Sequence, residues 1–304
     1  MHPDLLDLPC YLNGEFTRLP DARISVMDRG FIFGDGVYEV IPVYAGRPFR
    51  MAQHLQRLDR SLRELRIANP MSADQWTALV DELVQRLARQ QGRAAADTDQ
   101  LVYLQITRGV AMRDHVMPKD IQPTVFAMTN VMKQPSAHDV EQGVRCVTAE
   151  DFRWKKAHIK STSLLGAVFS RQISADEGAA ETVMFRDGYL SEAAASNVWV
   201  VKGGRVMGPP RDNLVLEGIR YGLLEELCAA AGLPLELRRI TRDEVLQADE
   251  LLLSSATKEV LAITTLDDRP VGDGRPGPVA RALRAAYQEA KRQSGQRAAT
   301  AVSV

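Results

Sequence analysis

Lys160 stands at the end of a partly apolar run, His158-Ile159-Lys160. The small polar triplet Ser161-Thr162-Ser163 follows it, and then the apolar pair Leu164-Leu165 and Gly166. Burial disfavours the ammonium form of a lysine, and a free ε-amine condenses with an aldehyde to a Schiff base. The chain has eight lysines among its 38 basic residues, so a lysine-dependent chemistry has few candidates. Taken alone, a lysine reads as a surface cation, because lysines are seldom fully buried. The sharper reading needs companions.

An aldehyde cofactor of the pyridoxal phosphate kind requires an amine, an anion site for its phosphate, a carboxylate for its ring nitrogen and a hold on the substrate. Three places suit the phosphate. Arg57 lies between Leu55 and Leu58 in a helical pattern, where its fork can turn onto phosphate oxygens. Gly218-Ile219 opens a predicted helix whose first amides form an anion site. Ser254-Ser255-Ala256-Thr257 follows an apolar strand and can form a nest of backbone donors. Each also has an ordinary reading, as a solvated helix arginine, a helix start and a loop. Glu192, in Leu190-Ser191-Glu192-Ala193, offers the carboxylate, and by itself reads as a turn glutamate. Tyr38, Arg113 and His115 suit a substrate carboxylate, the latter two from a long loop.

Other chemistries fit less well. Gly34-Asp35-Gly36 does not extend to G-x-G-x-x-G, since Glu39 occupies the last position, and it lacks a βαβ context. The sequence has no P-loop and no G-x-S-x-G elbow, and its five histidines lack metal-ligand spacing.

The elements that must position these residues are an α+β set in two domains. The 304 residues suggest two domains by length. Residues 1–132 are expected to form a smaller N-terminal domain, 133–142 a linker around Pro135, 143–292 a larger C-terminal domain, and 293–304 a frayed tail. Asn13-Gly14 and Ala45-Gly46 predict hairpin turns, and Arg23 to Met27 a short strand. Leu55, Leu58, Leu62 and Leu65 have helical spacing. Ser72-Ala73-Asp74-Gln75 and Thr241-Arg242-Asp243-Glu244 predict capping boxes. Strands are expected over 101–107, 124–131, 183–206 and 251–253, and helices from 164 to 178, 217 to 231 and 279 to 292. A net charge of −1 gives no electrostatic case for nucleic acid or an anionic membrane. Cys10, Cys146 and Cys228 are odd in number and carry no C-x-x-C, so three reduced thiols are expected. Met1-His2-Pro3-Asp4 does not begin a leader pattern, and no apolar run approaches the ~18 residues of a membrane span. The expectation is a cytoplasmic protein.

In this order, the residues resemble the fold-type IV pyridoxal-phosphate enzymes, and among them the bacterial D-amino acid aminotransferases. The likeness runs from about Tyr11 to Arg292. Its landmarks are Asp28-Arg29-Gly30, Phe33 to Val40, His54 to Leu58, Ile106 to Gly109 with Arg113-Asp114-His115, Asp151 to Trp154, Ile159-Lys160-Ser161, Glu192 to Val198, Glu217-Gly218-Ile219 and Ser254 to Glu259. The resemblance implies two domains, the smaller an α/β sandwich and the larger holding a β-barrel-like sheet with helices. It implies pyridoxal 5′-phosphate as cofactor and no metal. Lys160 is then the Schiff-base lysine and proton shuttle, and Glu192 the partner of the pyridine nitrogen. Arg57, Gly218, Ile219, Ser255 and Ala256 become the phosphate cup, and Tyr38, Arg113 and His115 the carboxylate trap. The implied activity is ping-pong transfer of the amino group of a D-amino acid to a 2-oxo acid such as 2-oxoglutarate. The implied assembly is a homodimer in which the arginine-histidine loop reaches the other subunit.

Sibling activities on the same scaffold are branched-chain L-amino acid transamination and aminodeoxychorismate lyase chemistry; a pyridoxal-phosphate protein without turnover is a further alternative. Branched-chain enzymes typically carry Tyr-x-Arg where this chain has Tyr103-Leu104-Gln105, and the lyases usually lack Arg-x-His after Thr107-Arg108-Gly109. Arg113-x-His115 therefore favours the D-enzyme. The chain departs from its nearest relatives at Arg220, where a threonine is usual, at Ala194 and Ala195, which replace serines, and at Ala256, which replaces a threonine.

Overall fold

The computed structural model describes residues 7–296, which divide into two compact units. Residues up to 132 build the first, together with the distant segment 159–164. Residues 133–158 and 165–292 build the second, and the last turn of the C-terminal helix, from Gln293, is grouped with the first.

In the first unit, β1 (Pro9–Leu12) and β2 (Glu15–Arg18) turn at Asn13 and Gly14, whose φ of 48° and 106° suit a primed hairpin turn. The strand expected over Arg23–Met27 does not form. Ile24 and Val26 stay exposed and no neighbouring strand takes up their backbone. A short α1 (Arg29–Phe33) forms instead of a purely irregular glycine-rich stretch. Asp28 caps it by accepting from the Gly30 amide, and Gly34 ends it at φ 65°. Then follow β3 (Gly36–Tyr44), β4 (Arg47–Pro48), α2 (Met51–Glu64), α3 (Ala73–Gln90), β5 (Gln100–Thr107) and β6 (Thr124–Val131). The capping box at Ser72 and Gln75 is present as the sequence indicates.

The strands make one antiparallel sheet in the order β2-β1-β6-β5-β3-β4. Strand alternation sends Val37, Ile41, Val43, Val102, Leu104 and Ile106 to one face, where Leu58 and Leu62 of α2 and Trp76, Val80 and Leu83 of α3 close the core. Tyr38, Val40, Tyr103 and Gln105 line the opposite, half-buried face. Alternation thus gives β3 a packing face and a face able to bear chemistry.

The second unit begins with α4 (Ala137–Gln142), capped by Ser136, where an open linker was expected. Six residues are too few to show a helical period, so the cap was the only local signal. Next come β7 (Val144–Glu150), α5 (Leu165–Asp176), β8 (Glu181–Arg186), β9 (Tyr189–Ala193), β10 (Asn197–Lys202), β11 (Arg205–Gly208), α6 (Ile219–Ala230), β12 (Leu235–Leu237), α7 (Arg242–Leu246), β13 (Glu250–Ser255), β14 (Glu259–Leu266), β15 (Arg269–Pro270) and α8 (Pro278–Gln296). Thr241 and Glu244 form the expected capping box of α7. The mixed sheet runs β12-β11-β10-β13-β14-β7-β8-β9, with β15 beside β14, and curls into a half-barrel. Its parallel pairs are β11 with β12 and β7 with both β8 and β14. Val183, Phe185, Val198, Val200, Leu251 and Ile263 lie in its core. The fold class is therefore α+β.

Gly36 shows how closely the first unit is fitted around segment 159–164. A Cβ there would lie 2.6 Å from the Ile106 carbonyl oxygen, 3.0 Å from the Thr107 Cα and 3.2 Å from the Thr162 hydroxyl. Two of those atoms are backbone and cannot swing away. Gly36→Ala is therefore expected to cost about 1–3 kcal/mol of stability by overpacking, read in urea unfolding. An unchanged midpoint would show that the strand pair yields at no cost.

Candidate active site

Backbone bonds fix Lys160 against the start of β3. The Tyr38 amide donates to the Lys160 carbonyl at 3.0 Å, and the Thr162 amide to the Gly36 carbonyl at 2.9 Å. The Thr162 and Ser163 hydroxyls both donate to the Gly34 carbonyl at 2.9 Å. The polar triplet after Lys160 is thus a clasp, and Ile159 sinks into the core of the unit. The Lys160 Nζ lies 4.2 Å from the centre of the Tyr38 ring. Beyond Tyr38, its ring meets that of Tyr103 at 5.8 Å, and the Tyr103 hydroxyl donates to Gln105 Oε1 at 2.6 Å. Burial, with Tyr38 nearby, pushes the Tyr103 phenol up to about 12, so it stays a donor at neutral pH.

Arg57 is buried on α2, with two of its nitrogens on Glu39. Nε donates to Oε1 at 2.7 Å and Nη2 to Oε2 at 2.8 Å, while His54 Nδ1 lies 2.7 Å from Oε2. Burial by itself would raise Glu39, but Arg57 and His54 outweigh it and hold the carboxyl well below the usual range. This bidentate pair sets the plane of the guanidinium. Glu39 and His54 received no role from the sequence. The available signal was a glutamate in phase with inward-facing Val37 and Ile41.

Arg113 and His115 sit on an exposed loop against α1. The Phe33 ring centre is 5.6 Å from the Arg113 guanidinium carbon and 5.5 Å from the His115 ring, and Arg29 Nη1 donates to the Asp114 carbonyl at 2.6 Å. Among the described residues, neither makes a hydrogen bond, ion pair or ring contact with Tyr38 or Lys160.

In the second unit, Glu192 is buried on β9. Its Oε1 accepts from Arg153 Nη1 at 2.6 Å, and its Oε2 accepts from Asn197 Nδ2 at 3.3 Å; the Leu216 amide is 3.2 Å from both oxygens. Arg153 is itself held by Asp151, which also takes Arg186 at 3.0 Å. Charges therefore alternate from Arg186 through Asp151 and Arg153 to Glu192. Burial nevertheless pushes Glu192 up, more than Arg153 pulls it down. A further cation at this carboxylate would offset that cost. Gly218 precedes α6 and places no side-chain cap on its first turn, while Ile219 is buried. The side chain of Arg220 lies outside what the structure describes. Ser255 Oγ accepts from the Lys258 amide at 3.0 Å and shapes the turn that includes Ala256.

The sequence matches the family model for amino-transferase class IV over residues 36–266, well over half of the chain. The chain belongs to the class IV aminotransferases. Relatives of this aminotransferase include the D-alanine aminotransferase of Staphylococcus aureus strain MSSA476, 34% identical over 92% of this chain and 96% of that protein. That of Bacillus licheniformis is 36% identical over 91% and 94%. Among solved structures, the branched-chain amino acid aminotransferase of Escherichia coli has the same fold, with a TM-score of 0.83, 24% identity and coverage of 93% of this chain and 94% of that one.

The family implies pyridoxal 5′-phosphate. The donor set fits such a group. Glu192 is a buried carboxylate suited to a ring N–H, and the uncapped start of α6 suits a phosphate. Among the described residues there is no His, Cys, Asp and Glu cluster able to hold a metal, and no helix is long and apolar enough to cross a membrane.

Glu39→Gln is expected to destabilise the aminotransferase by about 3–5 kcal/mol at pH 7, since it leaves Arg57 buried without its counter-charge. The Glu39 contribution is fully present above its unfolded value of about 4.3. It is lost as pH falls through the depressed folded value. The gap between wild type and variant in urea unfolding should therefore narrow below about pH 4. A gap constant from pH 7 to pH 3 would contradict the assignment.

Proposed function

We propose that this aminotransferase moves the amino group of a D-amino acid such as D-alanine to a 2-oxo acid such as 2-oxoglutarate, in a ping-pong cycle. The observation that carries the reading is the loop Arg113-Asp114-His115, braced on Phe33 and Arg29 and presented to the outside. An arginine and a histidine two residues apart suit an α-carboxylate. Gln105 bonded to Tyr103 replaces the arginine of the branched-chain Tyr-x-Arg pattern. The D-alanine aminotransferases among the relatives support the same choice.

Bound pyridoxal phosphate supplies an electron sink. The protein's own groups do the rest. Lys160 would supply the amine, take the proton from the substrate Cα and pass it on to the cofactor's C4′ carbon rather than back to Cα. Glu192, fixed by Arg153 and Asn197, would keep the ring nitrogen protonated. Arg57, Gly218, Ile219, Ser255 and Ala256 would hold the phosphate, and Tyr38, Arg113 and His115 would orient the substrate carboxylate.

The working form in this proposal is a homodimer. Phe31, Val110, Met112 and Val116, on and beside the Arg113 loop, are 69%, 50%, 85% and 71% exposed, an apolar set that suits a second copy. The free, buried Cys10, Cys146 and Cys228 support work in a reducing cytoplasm.

Lys160→Ala is expected to abolish both the visible absorption of the cofactor-loaded protein and transfer from D-alanine to 2-oxoglutarate. Retained turnover would refute the assignment. Arg113→Ala should raise KM for D-alanine about 10- to 100-fold through loss of a charge-assisted bond. An unchanged KM would remove Arg113 from the carboxylate site.

A further inference from the structure

Glu181 on β8 is fully buried, and one of its oxygens collects three donors. Oε1 accepts from Lys258 Nζ at 2.9 Å, the Ala195 amide at 3.1 Å and the Ser196 hydroxyl at 2.9 Å. Lys258 Nζ is also 3.4 Å from the Ser196 hydroxyl. Oε2 has no hydrogen-bond partner among the described residues. Lys258 is therefore the cation bonded to this buried acid.

The donors come from two different turns. Ala194 to Ser196 joins β9 to β10, one residue after Glu192. Ala256 to Lys258 joins β13 to β14, directly after Ser255. The turns are neighbours because Asn197 pairs with Ser254 in the sheet. Their Ala194, Ala195 and Ala256 side chains are methyls, which cannot form hydrogen bonds. The Ala194 amide already donates to the Thr182 carbonyl at 3.0 Å and the Ala195 amide to Glu181, so what is left for an anion here is the backbone N–H of Ala256, whose direction depends on how its turn is held.

We propose that Lys258 and Glu181 are positioning residues that lock the Ser255–Ala256 turn to the turn after Glu192, and thereby set the affinity for the cofactor's phosphate. The proposal rests on the reading of Ser255 and Ala256 as phosphate ligands. The link is a charge pair with its acid fully buried and its lysine partly buried, and it does the tying that hydroxyls would otherwise do. A single charge-assisted bond across a low-dielectric site is strong enough to fix such a spacing.

The test is titration of full-length apoprotein with pyridoxal phosphate and, separately, with pyridoxal, which carries the same aldehyde and ring without the phosphate. The variant is Glu181→Gln with Lys258→Met. It keeps the shape and the Ala195 and Ser196 bonds but removes the charges, so no buried ion is left unpaired. Thermal unfolding of the apo form checks folding and should be within a few degrees of wild type. The dissociation constant for pyridoxal phosphate should rise about tenfold or more, while that for pyridoxal changes less than about twofold. Lys258→Arg, which keeps the cation, should recover most of the loss. Equal weakening of both ligands, or of neither, overturns the proposal, as does a variant that does not fold. If wild-type apoprotein shows no preference for the phosphorylated ligand, the cofactor reading itself fails, and the clamp fails with it.

Discussion

Four hydrogen bonds between residues 160–163 and residues 34–38 hold the catalytic candidate in place, two between backbone groups and two from the hydroxyls of Thr162 and Ser163 to the Gly34 carbonyl. They tie a segment more than a hundred residues downstream to the edge of β3, within the first unit. The bonds fix the Lys160 backbone without using its side chain, so the ε-amine is left to chemistry. Gly34 at φ 65° and the space at Gly36 are conditions for this approach, because a side chain at either would meet backbone.

The two units place charge differently. Glu39 has two partners and is held strongly ionised, which makes the Arg57 guanidinium a fixed plane. Glu192 has one cation and backbone help, and burial still pushes it up. Both carboxylates have hydrogen bonds on each oxygen, but Glu39 faces Arg57 and His54 whereas Arg153 is the cation bonded to Glu192. That difference separates a supporting residue from one suited to a ligand's positive charge. The Arg186–Asp151–Arg153 chain keeps Glu192 from turning away without neutralising it fully.

Local chemistry with a short range was legible in the sequence. The Asn13-Gly14 turn and the boxes at Ser72 and Thr241 each depend on neighbouring residues, and each formed. The run from Leu55 to Leu65 carried its own period. Features that depend on distant partners were not legible. Arg23 to Met27 has strand composition but finds no ladder, whereas Glu259 to Leu266 forms a buried strand because β13 and β7 flank it. Short α1 and α4 lacked the length to show a period. The order of chemical residues from Tyr38 to Ala256 pointed to the family. Their supports (Glu39 and His54 for Arg57, Arg153 for Glu192, Lys258 for the Ser255 turn) emerge only from strand pairing and burial.

Lys160, Glu192 and the Arg113–His115 loop are proposed to serve transamination of D-amino acids. The most direct test is a half-reaction: cofactor-loaded protein titrated with D-alanine and, in parallel, with L-alanine, while the absorption spectrum is followed without any 2-oxo acid. D-alanine is expected to convert the visible lysine-dependent band to the pyridoxamine form, and L-alanine to leave it in place. Conversion by L-alanine alone, or by neither enantiomer, would contradict the proposal.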